Sequence, residues 1–234
     1  MFSMKIIDAH SHLDYITHVF QTDVVGTVCC AVNESEWGLL MDKIKTDENI
    51  YGCFGIHPWF VQNVNVGFES RLEKLLRSNN AFMVGEIGLD KYKPDMDNQI
   101  EIFQKQLDVA IKLNRPVFLH CVGAWDKILH ILKAYKKSKL PIIVVHDFNG
   151  SDEILNMLLQ NYNVYFSIHK TDKSQEINRI QQIPLCKILV ETDAKNNVSL
   201  EKIIDTISIM KNEPRADQII YDNTLRVLNN EQIA

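Results

Sequence analysis

Short apolar runs alternate along this chain with longer segments whose apolar residues recur at helical spacing. Eight runs are rich in valine and isoleucine and are apolar at consecutive positions, which is typical of strands in a parallel sheet covered by helices. We predict strands at residues 5–9, 24–32, 51–56, 82–87, 116–120, 142–146, 164–168 and 188–191. The alternation of strand and helix patterns predicts successive βα units.

Amphipathic helices are predicted between these strands. In residues 99–114, apolar Ile102, Phe103 and Leu107 are interleaved with Gln, Lys and Asp. The same character extends over residues 125–137, 151–161, 200–211 and 218–229. Eight strands favour an α/β fold closed into a TIM (β/α)8 barrel, since an open doubly wound sheet more often stops at about five or six. The sequence also lacks the glycine-rich phosphate loops GxGxxG and GxxxxGK[ST].

Length and composition fit one soluble globular domain. The chain has 234 residues, of which 46% are hydrophobic and 24% charged, and we expect a single barrel domain over residues 1–234. The net charge of −5 argues against a broad basic surface that neutralises many phosphates at once. Any contact with nucleic acid must then be local, and bound metal ions can supply that local positive charge.

The cysteines and the apolar segments bear on the compartment. The five cysteines mostly lie within apolar runs and show no CxxC spacing, so we expect reduced, buried thiols. The N-terminal residues lack the apolar run of a signal peptide, and no segment approaches the roughly 20 residues of a membrane span. We therefore expect a cytoplasmic protein without a membrane partner.

Polar side chains close most of the apolar runs, and a βα barrel carries its active site at the carboxyl ends of its strands. They are Asp8, His10, His12, His57, Glu86, Asp90, His120, His146, Asp147, Glu191 and Asp193. His10 and His12 are two apart on an extended segment, so both rings leave the same face and can reach one cation. Imidazole and carboxylate ligands suit zinc, manganese, iron or nickel, and Glu86 can bridge two ions.

A structural interpretation competes at several of these positions. Asp90 can simply hydrogen-bond the backbone. Glu191 can support a ligand rather than bind the ion itself, since Asp193 is better placed to bind it. Gly85 and Gly88 allow either a turn or a close approach to a ligand. Gly55 and Pro58 either aim His57 or form a plain turn. Three histidines, interpreted as structural or surface groups, fall outside the pattern: His18, His130 and His169.

Several ordered motifs resemble the TatD-like deoxyribonucleases, a family of the amidohydrolase superfamily. They are the DAHSHLD of residues 8–14, the GIHP of 55–58, the GEIGLD of 85–90, the PVFLH of 116–120, the HDFNG of 146–150 and the ETDA of 191–194. Gln99, Phe103 and Gln106 resemble the helix that follows in the family, and Asn223 with Arg226 resembles its closing NxxR helix. The resemblance spans nearly the whole chain.

The resemblance implies a TIM barrel that holds two divalent ions, with room for a third, drawn from Zn, Mg or Mn. It implies metal ligands at His10, His12, Glu86 and Asp193 for one ion, and at Glu86, His120 and His146 for the other. It also gives catalytic roles to Asp193, Glu86 and His57, with His57 contacting the scissile phosphate or a further ion. Family members hydrolyse DNA as 3′–5′ exonucleases or endonucleases, so DNA, single-stranded or at its 3′ ends, is the expected partner.

Two departures from the family pattern bear on the substrate. Val122 stands two residues after His120, where the family usually has arginine, and the basic loop that follows ETDA in the family is absent. Lys170, Lys173 and Lys195 are interpreted either as partial substitutes or as solvated surface lysines.

Three hypotheses follow for function. The first is a metallonuclease. The second is an amidohydrolase acting on a small amide or phosphodiester, against which stands the absence of a lysine at a strand end for a carbamylated bridge. The third is a non-catalytic barrel, from which lost ligands would be expected, whereas this chain keeps all six.

Overall fold

Eight parallel strands follow one another around a nearly closed barrel, in the order of the chain. In the computed structural model, residues 4–14, 23–195 and 197–231 are described, and His18 lies outside them. The strands are β1 (Ile6–His12), β2 (Val24–Cys30), β3 (Ile50–Phe54), β4 (Met83–Asp90), β5 (Val117–Val122), β6 (Ile143–His146), β7 (Val164–Ile168) and β8 (Ile188–Val190). The predicted TIM barrel is confirmed.

Helices follow the strands and cover the outer face of the barrel. They are α1 (Glu34–Thr46), α2 (Phe68–Ser78), α3 (Met96–Leu113), α4 (Trp125–Ala134), α5 (Asp152–Asn161), α6 (Ser174–Gln182), α7 (Leu200–Lys211) and α8 (Ala216–Leu228), with short 3-10 turns at Pro58–Asn63, Lys137–Lys139 and Leu185–Lys187. The five predicted helices are all present. Side-chain caps fix where several begin: Ser151 accepts the backbone N–H of Ile154, and Ser199 that of Lys202.

Three strands extend beyond their predicted ends: β5 continues two residues to Val122, and β1 and β4 continue further. β1 continues to His12 rather than ending at Ala9, and β4 continues to Asp90 rather than ending at Ile87. The apolar pattern breaks early because polar residues, His10 and His12 in β1 and Glu86 and Asp90 in β4, lie towards the mouth of the barrel, while the backbones of both strands still pair with a neighbour. His10, His12 and Glu86 therefore sit on rigid strand backbone rather than on loops.

Two apolar layers hold the fold together. The larger fills the space between strands and helices, and includes Leu40, Leu72, Phe103 and Ile128, each at most 1% exposed. The smaller fills the inside of the barrel. Its buried members are Ala9, Val28, Cys30, Cys53, Met83, Phe118, Ile142, Val144, Tyr165, Leu189 and Val227. The interior is thus a packed core, and the chemistry is confined to its polar upper rim.

The seam between β8 and β1 is closed by a side chain. The buried carboxylate of Asp8 accepts the backbone N–H of Thr192 at 2.9 Å and its hydroxyl at 2.6 Å. The backbone N–H of Asp193 donates to the carbonyl of His10 at 3.0 Å. Burial outweighs these hydrogen bonds and raises the pKa of Asp8 to about 7. The contacts place Asp193 beside His10.

The cysteines and the helices bear on two expectations from the sequence, buried thiols and the absence of a membrane span. All five cysteines are free, four of them buried and Cys186 exposed, so the expected burial fails at Cys186 alone. In the part of the chain that the structure describes, no helix is both long and apolar enough to cross a membrane.

Candidate metal centre

The barrel brings the predicted ligands together at the carboxyl ends of its strands. β1 supplies His10 and His12, β4 supplies Glu86, and β5 and β6 end near His120 and His146. Asp193 follows β8, with a positive φ of 50°. All six side chains are largely buried, the most exposed being His12 at 26% and Asp193 at 17%. All but the fully buried His10 line one cavity of about 650 Å³.

His10 and His12 present their Nε2 atoms to the same two carboxylates, as the sequence spacing predicts. These nitrogens lie 3.3 Å apart. They stand 3.3 and 3.6 Å from Oε2 of Glu86, and 3.9 and 3.8 Å from Oδ1 of Asp193. Two nitrogens and two carboxylate oxygens thus surround one point, which is the donor set expected for one ion.

The opposite nitrogens of these two rings are held by β2. Nδ1 of His10 lies 3.5 Å from Sγ of Cys30, and Nδ1 of His12 lies 3.1 Å from the carbonyl oxygen of Cys30. The carbonyl can only accept, so His12 carries its proton on Nδ1 and leaves Nε2 with a free lone pair. Burial lowers the pKa of His12, which favours the neutral ring that a metal requires.

His120 turns its Nδ1, rather than its Nε2, towards Glu86. Nδ1 lies 2.7 Å from Oε1 of Glu86, and the buried Nε2 has no hydrogen-bond partner among the described residues. Burial opposes ionisation of Glu86, but the surrounding imidazoles of His57, His10 and His120 outweigh it and hold its pKa well below the ordinary range. Glu86 thus remains an anion with one oxygen towards each side of the centre.

His146 is backed by Glu191. Its Nδ1 lies 2.7 Å from Oε1 of Glu191, and its Nε2 faces Oδ1 of Asp193 at 3.5 Å. Burial works against the charged ring, but the carboxylates of Glu191, Glu86 and Asp193 raise the pKa of His146 to about 10. This arrangement, in which a carboxylate orients a histidine from behind, matches the interpretation of Glu191 rather than Asp193 as the supporting group.

His57 differs from the other histidines in its protonated nitrogen. The backbone N–H of Trp59 donates to Nδ1 at 3.2 Å, so the neutral ring carries its proton on Nε2. Nε2 lies 3.5 Å from Oε1 of Glu86, and burial lowers the pKa of His57 to about 4. His57 is therefore a neutral donor aimed into the cavity, a state suited to an anionic oxygen.

The donor chemistry fits divalent ions. Three groups of described donors have their atoms within 4.8 Å of one another: His10, His12 and Glu86; His57, Glu86 and His120; and His10, His146 and Glu191. Glu86 is shared by two of the groups, as a bridging carboxylate would be. The unpartnered buried Nε2 of His120 and Oε2 of Glu191 are further unsatisfied donor atoms of the kind that an ion satisfies.

Two residues at this end of the barrel were not predicted as site residues. His169, interpreted from sequence as a structural or surface group, is buried, and its Nδ1 lies 3.6 Å from Oε1 of Glu191. Lys195 contacts Oδ2 of Asp193 and lies 3.2 Å from Nε2 of His169. His169 directly follows β7, so its position at a strand end was the signal that could have identified it.

The two other lysines near the centre have different surroundings. Lys170 pairs with Asp147 and Glu176 at 3.3 and 3.5 Å, whereas Lys173 is exposed at the start of α6. Lys173 is therefore a solvated surface lysine, whereas carboxylates hold Lys170 and Lys195 at the mouth of the barrel.

Asp90 serves the surrounding loop. Its Oδ1 accepts the backbone N–H of Tyr92 at 2.9 Å, and its Oδ2 accepts the indole N–H of Trp59 at 2.7 Å. The expected backbone hydrogen bond is therefore present, together with one to a side chain. Gly88 allows a close approach of strands rather than of a ligand, because an added Cβ would overlap the carbonyl oxygen of His120.

A family model described as TatD related DNase matches residues 7–229. The chain belongs to the TatD-related DNase family. The 3'-5' RNA nuclease TATDN2 of Homo sapiens is 32% identical over 163 residues, which cover 66% of this chain and 21% of that protein. This chain thus spans only about a fifth of the human relative. Among bacterial members, an uncharacterized metal-dependent hydrolase of Haemophilus influenzae is 29% identical over 218 residues, which cover 82% of this chain and 81% of that one.

Two members of the TatD-related DNase family from Escherichia coli K12 complete the comparison. The 3'-5' ssDNA/RNA exonuclease TatD is 26% identical over 188 residues, which cover 77% of this chain and 72% of that protein. The crystal structure of the homologue YJJV superposes with a TM-score of 0.85 at 22% identity, and covers 97% of this chain and 98% of that one. The latter likeness establishes the fold.

Proposed function

We propose that this protein is a metal-dependent deoxyribonuclease that hydrolyses phosphodiester bonds of single-stranded DNA from the 3′ end. The observation that carries the proposal is the convergence of His10, His12, Glu86 and Asp193 on one point at the floor of a cavity open to solvent. Metal ligands, a shared carboxylate and a neutral histidine donor are the parts that phosphodiester hydrolysis needs.

Two divalent ions, Zn, Mg or Mn, would be held by the predicted ligands. His10, His12, Glu86 and Asp193 would take one, and Glu86 with His120 and His146 the other, with Glu191 holding His146 from behind. Ions bound there supply positive charge to the phosphate and acidify water.

The protein's own side chains then position the reactants. Asp193 directs Oδ1 to the histidines and Oδ2 to Lys195, so it can accept a proton from an attacking water on an oxygen at the cavity. His57 offers the proton on Nε2 to a phosphate oxygen, which stabilises charge there. Water adds to phosphorus as Asp193 accepts its proton, the bond from phosphorus to the leaving oxygen breaks, and that oxygen takes up a proton from solvent, to which Asp193 returns the one it accepted.

The substrate assignment draws on relatives and on local charge. The human relative is named a 3'-5' RNA nuclease and the Escherichia coli one a 3'-5' ssDNA/RNA exonuclease. With a net charge of −5, this chain must bind the substrate locally. Lys195 and Lys170, held at the mouth of the barrel, replace the missing basic loop as contacts to phosphates.

The test is cleavage of 3′-labelled and 5′-labelled single-stranded DNA by purified protein with Mg²⁺, Mn²⁺, Zn²⁺ or EDTA, with matched RNA as a second substrate. We expect metal-dependent loss of nucleotides from the 3′ end, abolished by EDTA and by Asp193→Asn. Asp126→Asn, which removes a carboxylate that is 77% exposed on α4, controls for the change in net charge. Absence of cleavage by protein whose metal content is confirmed contradicts the nuclease proposal and redirects it to small phosphodiesters and amides.

A further inference from the structure

Trp59 is an exposed tryptophan at the rim of the metal centre. It lies in the 3-10 turn after His57, lines the same cavity as the metal-binding side chains, and is 54% exposed. The two other tryptophans of the chain, Trp37 and Trp125, are only 6% and 5% exposed. Trp59 and the exposed Leu39 together present an apolar surface inside the cavity, where a partner from solution can reach it.

The ring of Trp59 is held in place despite its exposure. Its indole N–H donates to the buried Oδ2 of Asp90 at 2.7 Å, and Asp90 is itself fixed by the backbone N–H of Tyr92. The ring also meets the ring of His57 edge to face, with centroids 5.2 Å apart. These contacts orient a flat apolar surface beside the histidine that would face the phosphate.

The cavity divides into a charged floor and an apolar wall. The floor carries Glu86 and the histidines, whereas the wall is formed by Leu39, Trp59 and Phe60. Leu39 is 58% exposed. Nζ of Lys93 lies over one face of the Trp59 ring, 4.0 Å from its centroid, so a base would stack on the opposite face with this cation close by. A phosphate at the floor, a flat ring at the wall and a cation beside it match one nucleotide.

We propose that Trp59 is a stacking platform for a nucleobase of the single-stranded substrate, next to the phosphate that is cleaved. The proposal rests on the proposed nuclease function and names how that site holds its substrate. Stacking accepts any base because every base has a flat face, so the platform gives affinity without sequence preference. Lys93 adds a charge for the neighbouring backbone phosphate.

Tryptophan fluorescence provides a readout other than hydrolysis, since Trp59 is the exposed one of the chain's three tryptophans. Metal-loaded protein is titrated with a phosphorothioate decathymidylate, which resists cleavage, and with an abasic phosphorothioate oligomer of equal length. We expect the decathymidylate to quench the emission and the abasic oligomer to leave it nearly unchanged. Trp59→Phe should remove the quenching and keep most of the affinity, which is measured by anisotropy of a labelled oligomer.

Trp59→Ala should weaken binding of decathymidylate about tenfold, in line with the loss of one stacked base. The preference for decathymidylate over the abasic oligomer should fall by the same factor. The backbone N–H of Trp59 that holds His57 remains in both variants. Tyr92→Ala is the matched control, because this aromatic side chain is 79% exposed but does not line the cavity.

The outcomes separate the two proposals. Equal affinity of wild type and Trp59→Ala for decathymidylate, with no quenching, overturns the stacking platform even when the wild type degrades DNA. A wild type that neither binds nor cleaves any oligomer contradicts the nuclease function itself.

Discussion

The Nδ1 atoms of the histidines in the centre contact different kinds of partner atom. Cys30 holds His10 through its thiol and His12 through its carbonyl, Glu191 holds His146, and the backbone of Trp59 holds His57. These partners decide which nitrogen carries a proton, and so whether a ring can bind an ion or donate to an oxygen. Whether a given ring can bind an ion or donate a hydrogen bond therefore depends on the partner of its own Nδ1 atom.

Replacing Cys30 with alanine tests whether the thiol orients the ring of His10 for metal binding. The change removes the contact between Sγ and Nδ1 at 3.5 Å, so the ring loses its orienting partner. We expect metal affinity to fall about tenfold, as for other groups that support a ligand. Competition with a chelating dye measures the affinity. Cys29→Ala is the control, since it opens a similar space at a residue on the same strand that is also fully buried. Equal metal affinity in the two variants would contradict the role.

The identities of the candidate ligands could be predicted from sequence, but their orientations could not. The spacing of His10 and His12 on one strand predicts them as ligands, and the position of Glu86 at the end of an apolar run predicts it as another. The partners of their rings come from other strands, such as β2 for Cys30 and the segment after β8 for Glu191. For Lys195 the sequence leaves open a partial substitute for the missing basic loop and a solvated lysine, because nothing local in sequence indicates that it meets Asp193 and His169.

At the scale of the element, β4 and β5 approach each other closely at Gly88. Gly88 pairs with His120 in the register and has a φ of 153°. A Cβ at this position would overlap the carbonyl oxygen of His120, so only glycine lets the two strands meet there. The close approach keeps His120 near Glu86, which lies on the same strand as Gly88.

Gly88→Ala should therefore destabilise the protein by about 3 kcal/mol, because the strands must separate or the backbone must strain. Gly38→Ala is the matched control in α1, where an added Cβ has nothing within 4 Å. It should stabilise by about 0.5–1 kcal/mol, since alanine favours the helix. Urea unfolding of both variants measures the difference. The same sign for both substitutions would contradict the close approach of β4 and β5.

The seam of the barrel gives a second prediction at this scale. The hydroxyl of Thr192 donates to the buried carboxylate of Asp8 at 2.6 Å. Thr192→Val keeps the shape of the side chain but removes this donor, so we expect a loss of about 2 kcal/mol in the free energy of unfolding. Thr27→Val is the control, because the buried hydroxyl of Thr27 has no partner among the described residues.

Thr27→Val should be neutral or stabilising, since an unpaired buried hydroxyl is lost. Urea unfolding with an unchanged m-value measures both variants. A loss at Thr27 as large as that at Thr192 would show that the hydroxyl itself, rather than its bond to Asp8, accounts for the effect.

At the scale of the whole molecule, the barrel could be predicted because all eight strands are apolar runs and the same unit repeats. Where a strand ends was harder to predict, since β1 and β4 carry polar residues on paired backbone. The wall of the cavity could not be predicted either. Leu39 lies on α1 and Trp59 in a turn, and only the closed barrel brings them together above Glu86.

The centre links distant parts of the barrel, since its candidate ligands come from β1, β4, β5 and β6 and from the segment after β8. Ions that bind the folded barrel but not the unfolded chain must therefore stabilise the whole molecule. At about a hundred times the dissociation constant, the gain is about 2.7 kcal/mol. For a chain of this size, that corresponds to a rise in Tm of roughly 5–10 °C.

Thermal unfolding of EDTA-treated protein, with and without added Zn²⁺ or Mn²⁺, measures this rise. Glu86→Gln should show almost no rise in Tm when either ion is added, because the shared anionic ligand is lost. Asp126→Asn, with its exposed carboxylate on α4, should respond as the wild type does. A rise that persists in Glu86→Gln would mean that the ions stabilise the barrel from elsewhere. No rise in the wild type with either ion would contradict the metal centre as a whole.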